Sequence, residues 1–200
     1  MNRRKAFMIA LGALVAGAAA LVYAEYKGGE QPRRVATGAA LAAAESLGQS
    51  PEPHYDFHSL PAPVKTMIER IAAAAETGEI ENMRPVLESN ELKPMVDDAY
   101  VEDPIAFWKQ QSADGSGRDV LAAMLDVMSS GFVRVDQGQD EIYVWPYFAE
   151  MDLAKLTPPQ EVELYRLISP SLAVPMKKDG KYSYYRLGIS PSGVWHYFLQ

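Results

Sequence analysis

His54, Asp56 and His58 alternate along the chain. On an extended strand all three would point to one side, and a His/Asp set on one side suits zinc. Pro51, Pro53 and Pro61 surround them, and a proline-punctuated linker has no rigid surroundings to orient the rings. The preferred reading is a solvated linker with no metal and no cofactor. His196 is the third and last histidine. In a simple register it shares a strand face with Val194 and Phe198, where an imidazole in an apolar cavity would serve as an acid or base. No carboxylate partner is identifiable for it, so a hydrogen-bonded core histidine is the plainer reading. Ser116 lies between two glycines but lacks the strand and the Gly-x-Ser-x-Gly spacing of a nucleophile elbow. With Asp119 three residues later it has the spacing of a capping box. Asp98 and Glu102 fall in an acidic loop, 97–103, that reads as solvated. No catalytic residue is assigned.

Aromatic residues remain. Tyr143, Trp145, Tyr147, Phe148, Tyr165, Tyr182, Tyr184, Tyr185, Trp195, Tyr197 and Phe198 crowd the C-terminal half. Aromatics are what strands favour, and a sheet face this rich in them can also grip an apolar ligand, a glycan or a partner protein. Alternation places Tyr182, Tyr184 and Arg186 on one side of their strand, and Ser183, Tyr185 and Leu187 on the other. Leu187, Val194 and Phe198 make the buried side. The candidate binding residues are therefore Tyr184, Arg186, Trp195, His196 and Tyr197, with Tyr184, Arg186 and Tyr197 partly exposed.

The elements that must position these residues are legible in outline. Val64, Met67, Ile68, Ile71 and Ala75 follow helical spacing and Gly78 ends the run. Ile80, Met83 and Leu87 predict a second helical segment that Pro85 limits. Pro104 opens a helix to about Gln111. After the turn at 112–119, Val120, Leu121, Met124, Leu125, Val127 and Met128 predict another, ended by Gly131. Phe132–Val135 and Ile142–Trp145 then form a hairpin. Pro158 and Pro159 start a helix, and Tyr182–Ile189 with Val194–Leu199 form a second hairpin turned at Ser190–Gly193. Helices followed by hairpins give an α+β fold: several N-terminal helices packed on a small antiparallel sheet of two hairpins.

The amino terminus sets location. Arg3, Arg4 and Lys5 precede nineteen uncharged residues, 6–24, ending Val22-Tyr23-Ala24. This pattern predicts a signal peptide cleaved after Ala24. Nineteen uncharged residues also suffice for a membrane anchor, so the alternative is an inner-membrane protein with its domain in the periplasm. The predicted division is 1–24 signal or anchor, 25–59 a flexible linker whose Ala36–Leu47 can form a short helix, and 60–200 the globular domain. The 200-residue chain has a net charge of -7. Removing the three N-terminal cations leaves 16 basic against 26 acidic residues, a balance that excludes nucleic acid as a partner. Absence of cysteine excludes disulfides, thiolate catalysis, cysteine metal clusters and an acylated lipoprotein cysteine.

Two stretches carry a resemblance. They are Asp114-Gly115-Ser116-Gly117-Arg118 with Tyr143-Val144-Trp145-Pro146-Tyr147-Phe148-Ala149-Glu150, and Tyr184–Ile189 with Gly193-Val194-Trp195-His196. Across about residues 64–198 the chain resembles a family of exported proteins of Gram-negative bacteria, chiefly alphaproteobacteria. That family has no activity to lend, so the resemblance implies export and assigns no residue a role. More loosely, the order of helices, the break at Thr77–Ile80 and the closing hairpin are similar to nuclear-transport-factor-like and ketosteroid-isomerase-like cone domains, a fold analogy that carries no chemistry. The reading is an exported envelope protein that binds a ligand or partner through its aromatic sheet. The alternatives are an enzyme with a cone-fold cavity around His196, and a structural domain anchored in the membrane.

Overall fold

A computed structural model describes residues 51–136 and 141–200. The predicted signal or anchor, the tail with Ala36–Leu47 and most of the first hairpin turn lie outside the described residues. The described chain is α+β: four helices, a strand pair, two helices, and a second strand pair.

Helix α1, Ala62–Glu76, has Pro63 in its first turn and buries Val64, Met67, Ile68 and Ile71 as their spacing requires. Helix α2, Arg84–Ser89, corrects an expectation. Pro85 sits in its first turn, where the missing N–H costs nothing, so it starts the helix instead of limiting it; Ile80–Met83 is a separate 3-10 turn. Asp103 caps helix α3, Pro104–Gln111, by accepting from the N–H groups of Ile105 and Ala106 at 3.0 and 3.3 Å.

The capping box expected at Ser116 is replaced by a different knot. Helix α4, Arg118–Met128, begins after Gly117, whose φ of 81° puts it in the left-handed region. Asp119 reaches back to accept from the Ser112 hydroxyl at 2.5 Å and the Ala113 N–H at 3.0 Å. The buried Ser112 Oγ in turn accepts from the Gly117 N–H at 3.0 Å. A Cβ on Gly117 would lie 2.9 Å from Ile80, so the turn also packs against the 3-10 turn at Ile80–Met83.

The sheet has the order β1-β2-β3-β4, antiparallel throughout, from Val133–Asp136, Glu141–Trp145, Arg186–Ile189 and Trp195–Leu199. The third strand starts at Arg186, four residues later than expected. Tyr143, Trp145, Leu187, Ile189, Trp195 and Phe198 face α1–α4 and share one core with them. Val133, Ile142 and Val144 face the other way, into a second core with Leu153, Leu164, Ala173 and Met176. That second core exists because two helices follow the first hairpin. The prolines at 158–159 start α5, Pro158–Leu167, as expected. Helix α6, Pro170–Asp179, is not anticipated; Pro170 occupies its first helical position and Pro175 is tolerated inside. The sheet is thus covered on both faces, not on one.

The segment 51–59 is also corrected. It is not free linker. His54 and Phe132 exchange backbone hydrogen bonds of 2.7 and 2.9 Å, extending the sheet beside β1. Tyr55 donates its hydroxyl to Glu163 of α5 at 2.8 Å. The described domain therefore begins before residue 60. Asp56 caps a 3-10 turn, Phe57–Ser59, so Asp56 and His58 do not lie with His54 on one strand face. Among the described residues no group of histidines and carboxylates is arranged to hold a metal.

Candidate binding face around Tyr184

The five predicted residues separate into three environments. Trp195 is fully buried; its ring stacks on Trp108 of α3 at 6.1 Å between centroids, and its Nε1–H donates to the Tyr197 carbonyl at 2.9 Å. It is core, which corrects its assignment to a binding surface. His196 is exposed. Gly188 pairs with Tyr197 and Ile189 with Trp195, so His196 is the extra residue of a bulge. The expected face shared with Val194 and Phe198 is therefore lost, and the imidazole looks outward instead of into an apolar cavity. Tyr184, Arg186 and Tyr197 are half-buried, but not by alternation: 182–185 is not strand, Tyr182 is buried and Tyr185 is as half-exposed as Tyr184.

The half-buried three differ in turn. Tyr197 lies across Gly188 of the neighbouring strand, filling the space that a Cβ would take. Its hydroxyl is pushed up to about 12 by burial, with Glu150 adding to the shift and Arg186 opposing it. Glu150 keeps an exposed residue surface, yet the atoms crowding its carboxyl raise its pKa, and Arg186 draws it partly back. The Arg186 guanidinium forms no ion pair or hydrogen bond among the described residues. It stands in the field of Glu150, Tyr182 and Tyr197.

Tyr184 is the residue with open space beside it. It packs edge-on against Tyr185 at 4.9 Å between centroids and rests on the second core. On one side lies a groove of about 490 Å³ shared with Leu172, Met176, Lys181 and Gln200. On the other lies a smaller concavity of about 160 Å³ shared with Asp119, Ala122, Asp126 and Tyr182. Burial and the charges of Asp126 and Asp119 raise the pKa of its hydroxyl, which makes no hydrogen bond among the described residues.

One polar cluster escapes sequence reasoning. The fully buried Tyr147 donates its hydroxyl to Glu163 Oε2 at 3.0 Å, the oxygen that also receives Tyr55. Burial, then the hydrogen bonds to Tyr55 and Glu163, raises the Tyr147 pKa far above that of a free phenol. The three residues are 16 to 108 positions apart in sequence, so no local spacing betrays them. They fasten the 51–59 strap to α5 and line no cavity described above. The α4 carboxylates beside Tyr184 leave a local signal, because Asp119, Ala122 and Asp126 recur at helical spacing on one side. Comparison with family models, with curated proteins and with solved structures finds no match to the chain.

Proposed function

We propose that this chain is an exported envelope protein whose domain binds a ligand or partner at the face around Tyr184. The supporting observation is that Tyr184, a half-buried aromatic with an unpaired hydroxyl, forms the ridge between two concavities. A half-exposed aromatic beside concavities that a partner could fill is the composition of an interface hot spot. The exposed Leu172 of α6 extends the apolar surface of the larger groove. Relative to the sequence reading, the binding face loses Trp195 to the core and gains Leu172, Asp119 and Asp126. The enzyme alternative requires His196 in a cavity, and His196 instead faces solvent.

The test measures thermal stability and recovery of co-purifying envelope components in parallel for Tyr184→Ala. Capture should fall more than tenfold with a melting shift of only a few degrees. Unchanged capture with a lowered melting midpoint would make Tyr184 a packing residue and end this reading. Export is tested separately, by mass spectrometry of the protein from its native envelope. A new terminus at Glu25 is expected; intact Met1 in the membrane fraction would favour the anchored form.

A further inference from the structure

Charge is unevenly divided along the chain. Residues 51–157 carry 8 basic against 20 acidic residues, a balance of -12. Residues 158–186, which hold α5, α6 and the segment leading to β3, carry 5 basic against 3 acidic, a balance of +2. Exposed apolar surface gathers in the same place. Among the described residues, eight large hydrophobic side chains stand open to solvent, and four of them, Val162, Tyr165, Leu172 and Val174, belong to these two helices.

Helix geometry arranges these residues. Leu164 of α5 and Ala173 and Met176 of α6 point into the second core. On the side opposite, each helix carries a valine and, four positions later, a cation: Val162 and Arg166 on α5, Val174 and Lys178 on α6. Lys177 ties the two helices side by side, with its Nζ 2.5 Å from Glu161 and 5.7 Å from the centroid of the Tyr165 ring. Tyr165 therefore lies in the seam between the helices. The three carboxylates of the segment are neutralised or turned elsewhere. Glu161 is paired with Lys177, Glu163 receives Tyr55 and Tyr147, and Asp179 lines the groove on the Leu172 side. The Arg166 guanidinium and the Lys178 ammonium form no ion pair or hydrogen bond among the described residues. The strap at 51–59 is fastened to α5 through Tyr55 and Glu163, so residues 1–50, with the uncharged stretch 6–24, join the domain beside this helix.

We propose that this outer face of α5 and α6 docks on an anionic lipid surface, with Val162, Tyr165 and Val174 entering the headgroup layer and Arg166 and Lys178 meeting lipid phosphates. Aliphatic and tyrosine side chains flanked by cations are the composition of an interfacial contact. Each cation near such a surface strengthens binding roughly fivefold. The acidic remainder of the domain, at -12, is repelled by the same surface and fixes the orientation, because only this face is free of that repulsion. The attachment of residues 1–50 beside α5 acts in the same sense: a bilayer that holds 6–24 is tethered to the domain at this side. No helix among the described residues is long and apolar enough to cross a membrane, so the contact is peripheral. Neither concavity beside Tyr184 is lined by these five residues. A shallow face without a pocket suits a fluid bilayer better than the seated side chains of a protein interface.

The chain contains no cysteine, so a single introduced thiol reports one place. Full-length Val174→Cys, labelled with a polarity-sensitive dye, is mixed with phosphatidylglycerol vesicles, with phosphatidylcholine vesicles or with poly-L-glutamate. The dye emission should shift to the blue on phosphatidylglycerol and stay in place on phosphatidylcholine. The same dye at Leu92→Cys, exposed elsewhere on the domain, should not shift on either. Adding Arg166→Glu and Lys178→Glu to the Val174→Cys chain should raise the lipid concentration at half-shift about tenfold or more. The melting midpoint should stay unchanged, because both positions are exposed. Equal shifts at 174 and 92 on phosphatidylglycerol would show unspecific adsorption and overturn the proposal. An equal shift on phosphatidylcholine, or in the charge-reversed chain, would remove the role of the cations and also overturn it. A shift with poly-L-glutamate and none with phosphatidylglycerol would overturn it in favour of an acidic protein partner. Tyr184→Ala should leave the lipid shift in place, so contact through this face and capture through the Tyr184 face are read apart.

Discussion

The two faces of the sheet bury aromatic residues in opposite ways. Toward α1–α4, Trp145, Trp195 and Phe198 interlock with Trp108 and Phe132 and are shut off from solvent. Toward α5 and α6, only part of the aromatic surface is closed. Tyr147, Phe148 and Tyr182 are inside, while Tyr197 is half-open and Tyr184 is half-open beside two concavities. The difference traces to what covers each face. Four helices extend over the first. A two-helix hairpin covers the second, and the irregular chain from 180 to 185 delivers its tyrosines at the margin. Aromatic content alone therefore does not decide which rings stay open; the margin of the cover does.

Breaking the closed face should have the largest effect. Trp195→Ala removes a fully buried ring stacked on Trp108 and should cost roughly 3–5 kcal/mol. Met124→Ala, equally buried on α4, should cost roughly 2–5 kcal/mol. Both are read from denaturant unfolding at constant slope. Trp195→Ala with a midpoint near that of the native chain would mean that the closed face is not closed.

An intermediate effect is expected where the open face is tightest. Gly188→Ala places a methyl against the Tyr197 ring and 2.8 Å from Ile142 Cδ1. Displacing that ring should cost roughly 1–3 kcal/mol, the usual range for overpacking. Pairing the substitution with Tyr197→Ala should recover part of the loss, because the clash is then gone. A double variant no better than the sum of the singles would show that Tyr197 does not cover Gly188.

Acid sharpens the comparison at the turn that opens α4. The Ser112 hydroxyl first, then the Ala113 N–H, hold the Asp119 pKa below that of a free aspartate. The group is mostly exposed, so the stabilisation is modest. A depressed native pKa means the contribution is complete above the unfolded value of about 3.9 and is lost as pH falls through the lower native value. Asp119→Asn should therefore melt below the native chain at pH 7, and the gap should narrow below about pH 4. A gap unchanged down to pH 3 would show that the charge of Asp119 does not hold the turn.

How much of this was legible follows from which signals are local. The periodicity of Val64 to Ala75 and of Val120 to Met128 gave α1 and α4 with their buried faces, and the glycine-bearing turns gave both hairpins. Helix α6 has no counterpart in the sequence reading, and with it went the cover on the second face. Trp195 lies on the opposite face, under α1–α4, and its burial follows from that cover. The strap at 51–59 was misread because its prolines suggest linker, while its attachment depends on Phe132 and Glu163, residues far along the chain. The half-exposure of Tyr184, Arg186 and Tyr197 agrees with the expectation, but the alternation behind it fails: 182–185 is not strand, Tyr182 is buried, and a bulge interrupts the register beside Tyr197. The concavity beside Tyr184 was not legible, because it needs α4 to meet the 182–184 segment.

The smallest effect is predicted at His196, one residue from the largest. A regular strand would place neighbours on opposite faces, but here the ladder passes from Tyr197 directly to Trp195, leaving His196 outside the pairing. Its carbonyl still accepts from Met95 N–H at 2.9 Å, and the side chain of Asn90 closes the same edge by bonding both the N–H and the carbonyl of Trp195. The backbone is therefore fixed from the strand's outer side, and the imidazole contributes no hydrogen bond among the described residues. His196→Ala should change stability by less than about 0.5 kcal/mol, as for other exposed substitutions. Trp195→Ala, measured beside it, should differ from it by roughly 3 kcal/mol or more. A loss of several degrees in His196→Ala would place the imidazole inside the sheet. The bulge would then sit elsewhere, and an acid–base role for His196 would regain the enclosed setting that the exposed position denies it.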